Sequence, residues 1–170
     1  RGPQLNAGAA VALGEVLLFL HADTTLPPGA LGAIRTAAAD PALRGGNFRL
    51  RFEGQDLASR LFTVYYRAQQ RWLNMYYGDS AIFVRREVFA ALGGFRDDPI
   101  MEDYDFVRRL ERLGRTCCLP LAVTTSARRY RGRVVGTIAT WATIVLLYKL
   151  GVPPDRLARL YAPPGEGGDR

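Results

Sequence analysis

An α/β fold built on a mostly parallel sheet with flanking helices is what this sequence predicts, and three observations predict it. A short, continuously apolar run, Glu15-Val16-Leu17-Leu18-Phe19-Leu20, follows a turn at Gly14 and reads as a buried strand. It ends in a polar turn, His21-Ala22-Asp23-Thr24, at the carboxyl end of the strand, where open α/β sheets bind ligands. Strand-like and helix-like segments then alternate along the chain, the pattern of sheets covered by helices.

Taken in order, Asn6 to Leu13 is small and Ala-rich and reads as a helix ending at Gly14. Pro27-Pro28 opens a second helix through about Ala39, with Pro in the first turn, where its missing N–H is harmless. From Gly46 to Phe52 apolar and charged residues alternate, as in a half-exposed strand. Asp56 is placed to cap a long helix in which Leu57, Leu61, Val64, Tyr65, Ala68 and Trp72 recur at helical spacing. Its tyrosines and Trp72 read as core.

A strand over Ser80 to Val84 leads into a short helix, Arg86 to Leu92, closed by Gly93-Gly94. The helix Glu102 to Leu113 stops at Gly114, and Thr116 to Thr124 is the last strand. Beyond a basic knot at Arg128 to Arg133, Thr137 to Tyr148 forms an apolar helix shorter than the ~20 residues a bilayer span needs. It suits a core or homodimer interface, or a membrane surface, since basic residues precede a Trp-bearing segment. The expected organisation is a domain over 1–135, the apolar helical extension over 136–162, and a disordered tail over 163–170.

With 170 residues, the chain is long enough to bury a core without disulfides. Its formal charge of +7 is almost all arginine, Lys149 being the only lysine. Arginine suits anionic substrates, but a GC-rich genome produces the same excess. No long basic run supports nucleic-acid binding. Cys117 and Cys118 are adjacent, so they point to opposite faces of a strand and fit neither a zinc spacing nor a disulfide framework. With no apolar leader at Arg1-Gly2-Pro3-Gln4, these features point to the cytoplasm, either free or peripheral at the inner face of the membrane.

Two acidic sites carry the chemistry. Asp23 or Thr24 can simply cap the next helix. A carboxylate there also suits Mg²⁺ or Mn²⁺ shared with a phosphate. His21 reads as a second metal ligand, a phosphate partner or a structural residue. In Glu102-Asp103-Tyr104-Asp105, acids in the first helical turn suit the helix dipole, yet three in four positions crowd like charges. Crowding raises a carboxylate's pKa, as a general base needs. Gly78-Asp79 can be an ordinary turn.

The stretch RGPQLNAGAAVALGEVLLFLHADTTLPPGAL resembles the second quarter of a glycosyltransferase family 2 domain, with its Leu-Asn-x-Gly segment and Asp-x-Asp-type motif. GDSAIFVRREVFAALGGFRDDPIMEDYDFVRRLERLG resembles that family's acceptor region with its Glu-Asp pair. Together with Ser126-Ala127-Arg128-Arg129, these motifs are similar to the bacterial arsenosugar-biosynthesis and radical-SAM/selenodomain-associated subgroup, over about residues 1 to 135. The resemblance implies a GT-A (Rossmann-like) fold and an inverting transferase. Such an enzyme moves a sugar from a nucleotide-diphosphate donor to a small-molecule or lipid-linked acceptor hydroxyl.

By the same resemblance, Asp103 is the base, supported by Glu102. Asp23 binds the divalent metal, with His21 in place of the usual first Asp. Asn6, Gly8, Ala22, Asp23, Gly78 and Asp79 border the nucleotide sugar, and Arg128 and Arg129 reach its diphosphate. It further implies that the family's first strand and base-reading acid precede residue 1. The expectation for this stretch alone is then poor solubility or dimerisation and weak activity. The competing expectation is a nucleotide- or partner-binding module without turnover.

Overall fold

The computed structural model describes residues 1–54, 56–73, 76–126 and 134–161; the expected tail at 163–170 and the Arg128-Arg129 pair lie outside them. Helix α1 (Gly2–Val11) precedes strand β1 (Val16–Phe19) and the two-residue strand β2 (Thr24–Thr25). Helix α2 (Ala30–Ala38) and strand β3 (Leu43–Phe52) follow, then the long helix α3 (Leu57–Leu73). A 3₁₀ turn (Gly78–Ser80) enters β4 (Ile82–Arg85), which runs straight into α4 (Arg86–Ala91). Helix α5 (Glu102–Leu113), strand β5 (Arg115–Thr125) and helices α6 (Val134–Lys149) and α7 (Pro154–Tyr161) complete the order.

The α/β class and the flanking helices agree with the sequence reading, and the sheet is five-stranded in the order β1-β4-β3-β5-β2. Its pairing is mixed, not mostly parallel. Among the described residues only β3 and β5 run parallel, while β1–β4, β3–β4 and β2–β5 are antiparallel. A continuously apolar strand signals burial on both faces, and burial does not fix the direction of the neighbour. The β3–β5 register slips between Phe48↔Leu119 and Arg49↔Ala122, across Pro120, which has no N–H to give to a ladder.

Alternation in β3 behaves as expected at its second half, where Arg49 and Arg51 are exposed and Phe48, Leu50 and Phe52 are buried. Its inner face packs on Phe62 and Tyr66 of α3, and the other side of the sheet buries Ile82, Val84, Phe106, Val107 and Leu110. Asp56 caps α3 as its position suggested, accepting from the Ser59 N–H at 3.0 Å.

The apolar C-terminal helix belongs to the core. Trp141 of α6 packs on Phe62, Tyr65 and Tyr66, and Ile144 and Val145 meet Met101, Tyr104 and Leu157. Val135, Leu146 and Leu150 stay exposed. Among the described residues no helix is long and apolar enough to cross a membrane.

Candidate active site

The site is assembled at three chain crossings. Thr24 pairs with Thr125 across β2 and β5, their hydroxyls 3.1 Å apart, and the Ser126 N–H donates to the Asp23 carbonyl at 3.3 Å. This fixes the His21–Asp23 turn beside the end of β5. The 3₁₀ turn brings Gly78 and Asp79 in from α3, and the start of α5 brings Glu102 and Asp103.

Asp103 ties two of these segments together. Its Oδ2 accepts the Gly78 N–H at 2.7 Å and its Oδ1 accepts the Tyr104 N–H at 2.7 Å. Glycine at 78 follows from the crowding: a Cβ there would sit 2.6 Å from His21 Nε2 and 3.2 Å from Asp103 Oδ2. Just after the turn, Ala81 has φ 55°, and Met101, the residue capping α5, has φ 68°. These are the two non-glycine residues with positive φ among the described residues, and each abuts a segment of the site. Backbone held in such sparsely populated conformations concentrates at functional sites.

Arg1, His21, Asp23, Asp79, Glu102 and Asp103 all line one cavity of about 200 Å³. Tyr66, Tyr77 and Trp141 line it as well, as does the buried Gln69. Those four were not singled out from the sequence as site residues: Tyr66 and Gln69 on α3 and Trp141 on α6 sit at helical spacing that reads as core packing, and Tyr77 lies in the turn before Gly78. Tyr66 and Trp141 do both jobs.

Burial dominates the electrostatics. It lowers the His21 pKa, helped by the Arg1 charge and opposed by Asp103 and Asp23, so the imidazole is neutral near pH 7. Glu102 is buried, and its carboxyl is pushed up by desolvation and then by the Asp103 charge. Arg1 lies 3.5 Å from its Oε1 as an ion pair. Asp79 is pushed up to about 7, first by burial and then by Asp103, with a hydrogen bond from Tyr66 opposing.

That shift makes a pH prediction. In the unfolded chain Asp79 ionises near 3.8, so between about pH 4 and 7 the folded chain holds a proton that the unfolded chain has lost. Stability contributed at position 79 therefore falls as pH rises through this window, and the penalty is complete above it. Asp79→Asn keeps the shape and an acceptor for Tyr66 but removes the titration. The melting temperature of the variant minus that of the parent is expected to grow from pH 4 to pH 8; a difference independent of pH would refute the burial reading.

Not every expected residue meets the cavity. Asn6 is committed elsewhere: its amide donates to the Phe95 carbonyl at 2.8 Å and accepts the Phe95 N–H at 2.9 Å, clamping α1 to the loop after Gly93-Gly94. Gly8 and Ala22 are exposed and absent from the cavity lining. Asp105, the third acid of the cluster, is buried in ion pairs with Arg109 at 2.7 Å and Arg96 at 3.1 Å.

Among the described residues no group of three His, Cys, Asp or Glu side chains is placed to hold a metal ion. His21 and Asp23 form a two-residue donor set. The Asp23 carboxylate suits a hard cation that takes its remaining ligands from phosphate and water, as Mg²⁺ commonly does, whereas the His21 imidazole suits a softer ion.

No family model matches the chain, and no curated protein matches it. Among solved structures, the crystal structure of mannosyl-3-phosphoglycerate synthase from Rubrobacter xylanophilus superposes on it with a TM-score of 0.49 at 17% identity. The match covers 99% of this chain and 55% of that one, so the chain spans about half the length of the solved protein.

Proposed function

We propose that the chain is an inverting glycosyltransferase domain that moves a sugar from a nucleotide-diphosphate donor to an acceptor hydroxyl. The observation carrying this reading is the convergence of His21, Asp23, Asp79, Glu102 and Asp103 on one cavity from segments far apart in sequence, with the Gly78 N–H held by Asp103 behind it. These are the motifs through which the sequence resembles glycosyltransferase family 2.

Asp103 receives the proton of the acceptor hydroxyl as its oxygen attacks. Each of its carboxylate oxygens accepts one backbone N–H and keeps a lone pair for that proton. The two N–H donors also fix the carboxylate's direction, so the base needs no reorganisation as the reaction proceeds. Glu102 supports it from the neighbouring position, its own carboxyl pushed up by burial and then by the Asp103 charge. Displacement is in line and needs no covalent nucleophile. Asp23, with His21, would hold Mg²⁺ or Mn²⁺, which when bound offsets the charge developing on the leaving diphosphate. Neutral His21 can donate or accept one hydrogen bond at that edge.

Calorimetric titration with UDP and with GDP, each with and without Mn²⁺, tests the donor side. Binding that depends on Mn²⁺ and is lost in Asp23→Ala is the expected result. A folded chain that binds neither nucleotide, or binds them equally well without metal and without Asp23, overturns the reading.

A further inference from the structure

Helix α3 presents an apolar line to solvent. Leu57, Leu61, Val64 and Ala68 follow one another at intervals of four, three and four residues, which keeps them on one face. Helical spacing of apolar residues ordinarily marks a core-facing stripe. Here Leu57 is 72%, Leu61 43% and Val64 64% exposed, and Ala68 is exposed as well. The core side of the helix is a different face, where Ser59, Phe62, Tyr66 and Gln69 are buried. One edge of the exposed line is Tyr65, which stacks on Trp141 of α6. Along the other edge stand Arg60, Arg67 and Arg71, all exposed.

The charges beside this line choose among the surfaces that cover apolar side chains. No Asp or Glu occurs from Leu57 to Gly78, and among the described residues no carboxylate pairs with Arg60, Arg67 or Arg71. Glu53 and Asp56 precede the helix, and Asp56 is taken up in its N-terminal cap. Intervals of four, three and four are also those of a coiled-coil seam. A second copy of α3 laid on that seam would set arginines beside arginines with no acid on the helix to answer them, and such like-charge contacts disfavour pairing. An anionic surface with an apolar interior meets both features. It takes the leucines and valine inside and the guanidinium groups at its polar edge, the arginine stems crossing the boundary. A bilayer with acidic headgroups is such a surface, and its chains adapt to the helix without matched shape.

We propose that α3 is a membrane-docking helix, lying in the plane of an anionic lipid surface with Leu57, Leu61 and Val64 inserted and Arg60, Arg67 and Arg71 on lipid phosphates. The inner face of the helix stays packed on the sheet, so docking needs no refolding. Tyr66 and Gln69 on that inner face line the cavity, which sets the cavity one helix diameter, ~10 Å, from the lipid. The inference does not depend on the transferase reading.

Co-sedimentation of the full chain with vesicles of phosphatidylcholine alone, and of phosphatidylcholine mixed with phosphatidylglycerol, tests the proposal. Binding to the mixed vesicles is expected to be about tenfold or more tighter, and to weaken as salt is raised. The whole chain carries a formal charge of +7, so attraction by net charge has to be separated from docking through α3. Arg60→Gln with Arg67→Gln removes two charges from α3, and Arg35→Gln with Arg49→Gln removes two exposed charges elsewhere. The first pair is expected to weaken binding about tenfold or more, the second about twofold or less. Leu57→Ser with Val64→Ser keeps the charge and is expected to weaken binding about tenfold, because it removes the inserted surface. Every altered side chain is exposed, so circular dichroism and melting temperature are expected to match the parent. Equal losses in the two arginine pairs, or none in Leu57→Ser with Val64→Ser, would reduce the binding to general charge attraction and overturn the proposal. Failure to bind either vesicle overturns it as well. So does a lipid-free dimer, seen by sedimentation equilibrium, that Leu57→Ser with Val64→Ser dissociates, since a second copy is then the occupant.

Discussion

Replacing Asp103 by asparagine is expected to slow sugar transfer by roughly 10²–10⁴-fold, the range that a positioned general base contributes. The substitution removes the proton acceptor but nearly preserves the shape. It also disturbs a local arrangement in a foreseeable way. Both carboxylate oxygens accept backbone N–H groups, from Gly78 and Tyr104. Asparagine has one carbonyl oxygen, so one of these donors would face an NH₂ group instead. A displaced 3₁₀ turn is therefore a second source of loss.

Two measurements separate these causes. Gly78 and His21 resonances report the turn directly, since the two residues are in close approach. Transfer compared among acceptors whose hydroxyls differ in acidity reports the base, whose removal steepens the dependence on that acidity. A variant that retains the parent rate within about threefold while folded would remove Asp103 from the base role. Glu102→Gln is the companion test. Glu102 is buried beside Asp103 and its carboxyl is raised by burial, so its neutral isostere is expected to fold well and to lower the rate less than Asp103→Asn does.

The legible parts of this site were those written in local pattern. Helix α5 begins at Glu102 and ends before Gly114, as its acidic first turn and glycine stop suggested. The arginine–apolar alternation of β3 and the cap at Asp56 were readable for the same reason: each is decided within a few residues. What stayed hidden depends on contacts between distant segments. The two-residue strand β2 has no periodicity to detect, yet its pairing with β5 sets Asp23 in place. Strand direction depends on how the chain returns, not on how apolar the strand is.

Asn6 illustrates the converse. A Leu-Asn-x-Gly segment beside a glycine reads as a nucleotide contact, but both ends of the amide are spent on the Phe95 backbone. Gln69 and Trp141 were invisible because core packing and cavity lining leave the same helical spacing. Asp79 carried a weak local signal, and its burial beside Asp103 emerges only when the 3₁₀ turn is docked on α5. The acidic cluster divides its labour in the same way: Glu102 and Asp103 face the cavity while Asp105 turns into the protein.

That last division leads to the largest expected loss of stability, in Asp105→Ala. Asp105 is 7% exposed and binds Arg109, whose side chain is 15% exposed, at 2.7 Å. Arg109 in turn donates to the carbonyls of Leu92 at 2.8 Å and Gly94 at 2.9 Å, and its guanidinium lies 5.5 Å from the centre of the Phe106 ring. One cation thus holds the end of α4 and the glycine loop against α5. Removing the carboxylate leaves that cation buried with carbonyl partners alone. Breaking a buried pair from one side typically costs about 3–5 kcal/mol, and the two remaining carbonyls place the expected loss near the lower end. Arg96, the other partner, has a side chain 61% exposed and contributes little. Chemical denaturation of the parent, Asp105→Ala and Arg96→Ala measures this directly. A loss below about 1 kcal/mol in Asp105→Ala would mean that Arg109 reaches solvent or another acceptor, and that the acid is not what seats the loop. Because Asp105 sits on the first turns of the helix that presents Glu102 and Asp103, a loss of the expected size also predicts weaker protection of the Gly78 N–H from exchange, where that N–H is held by Asp103.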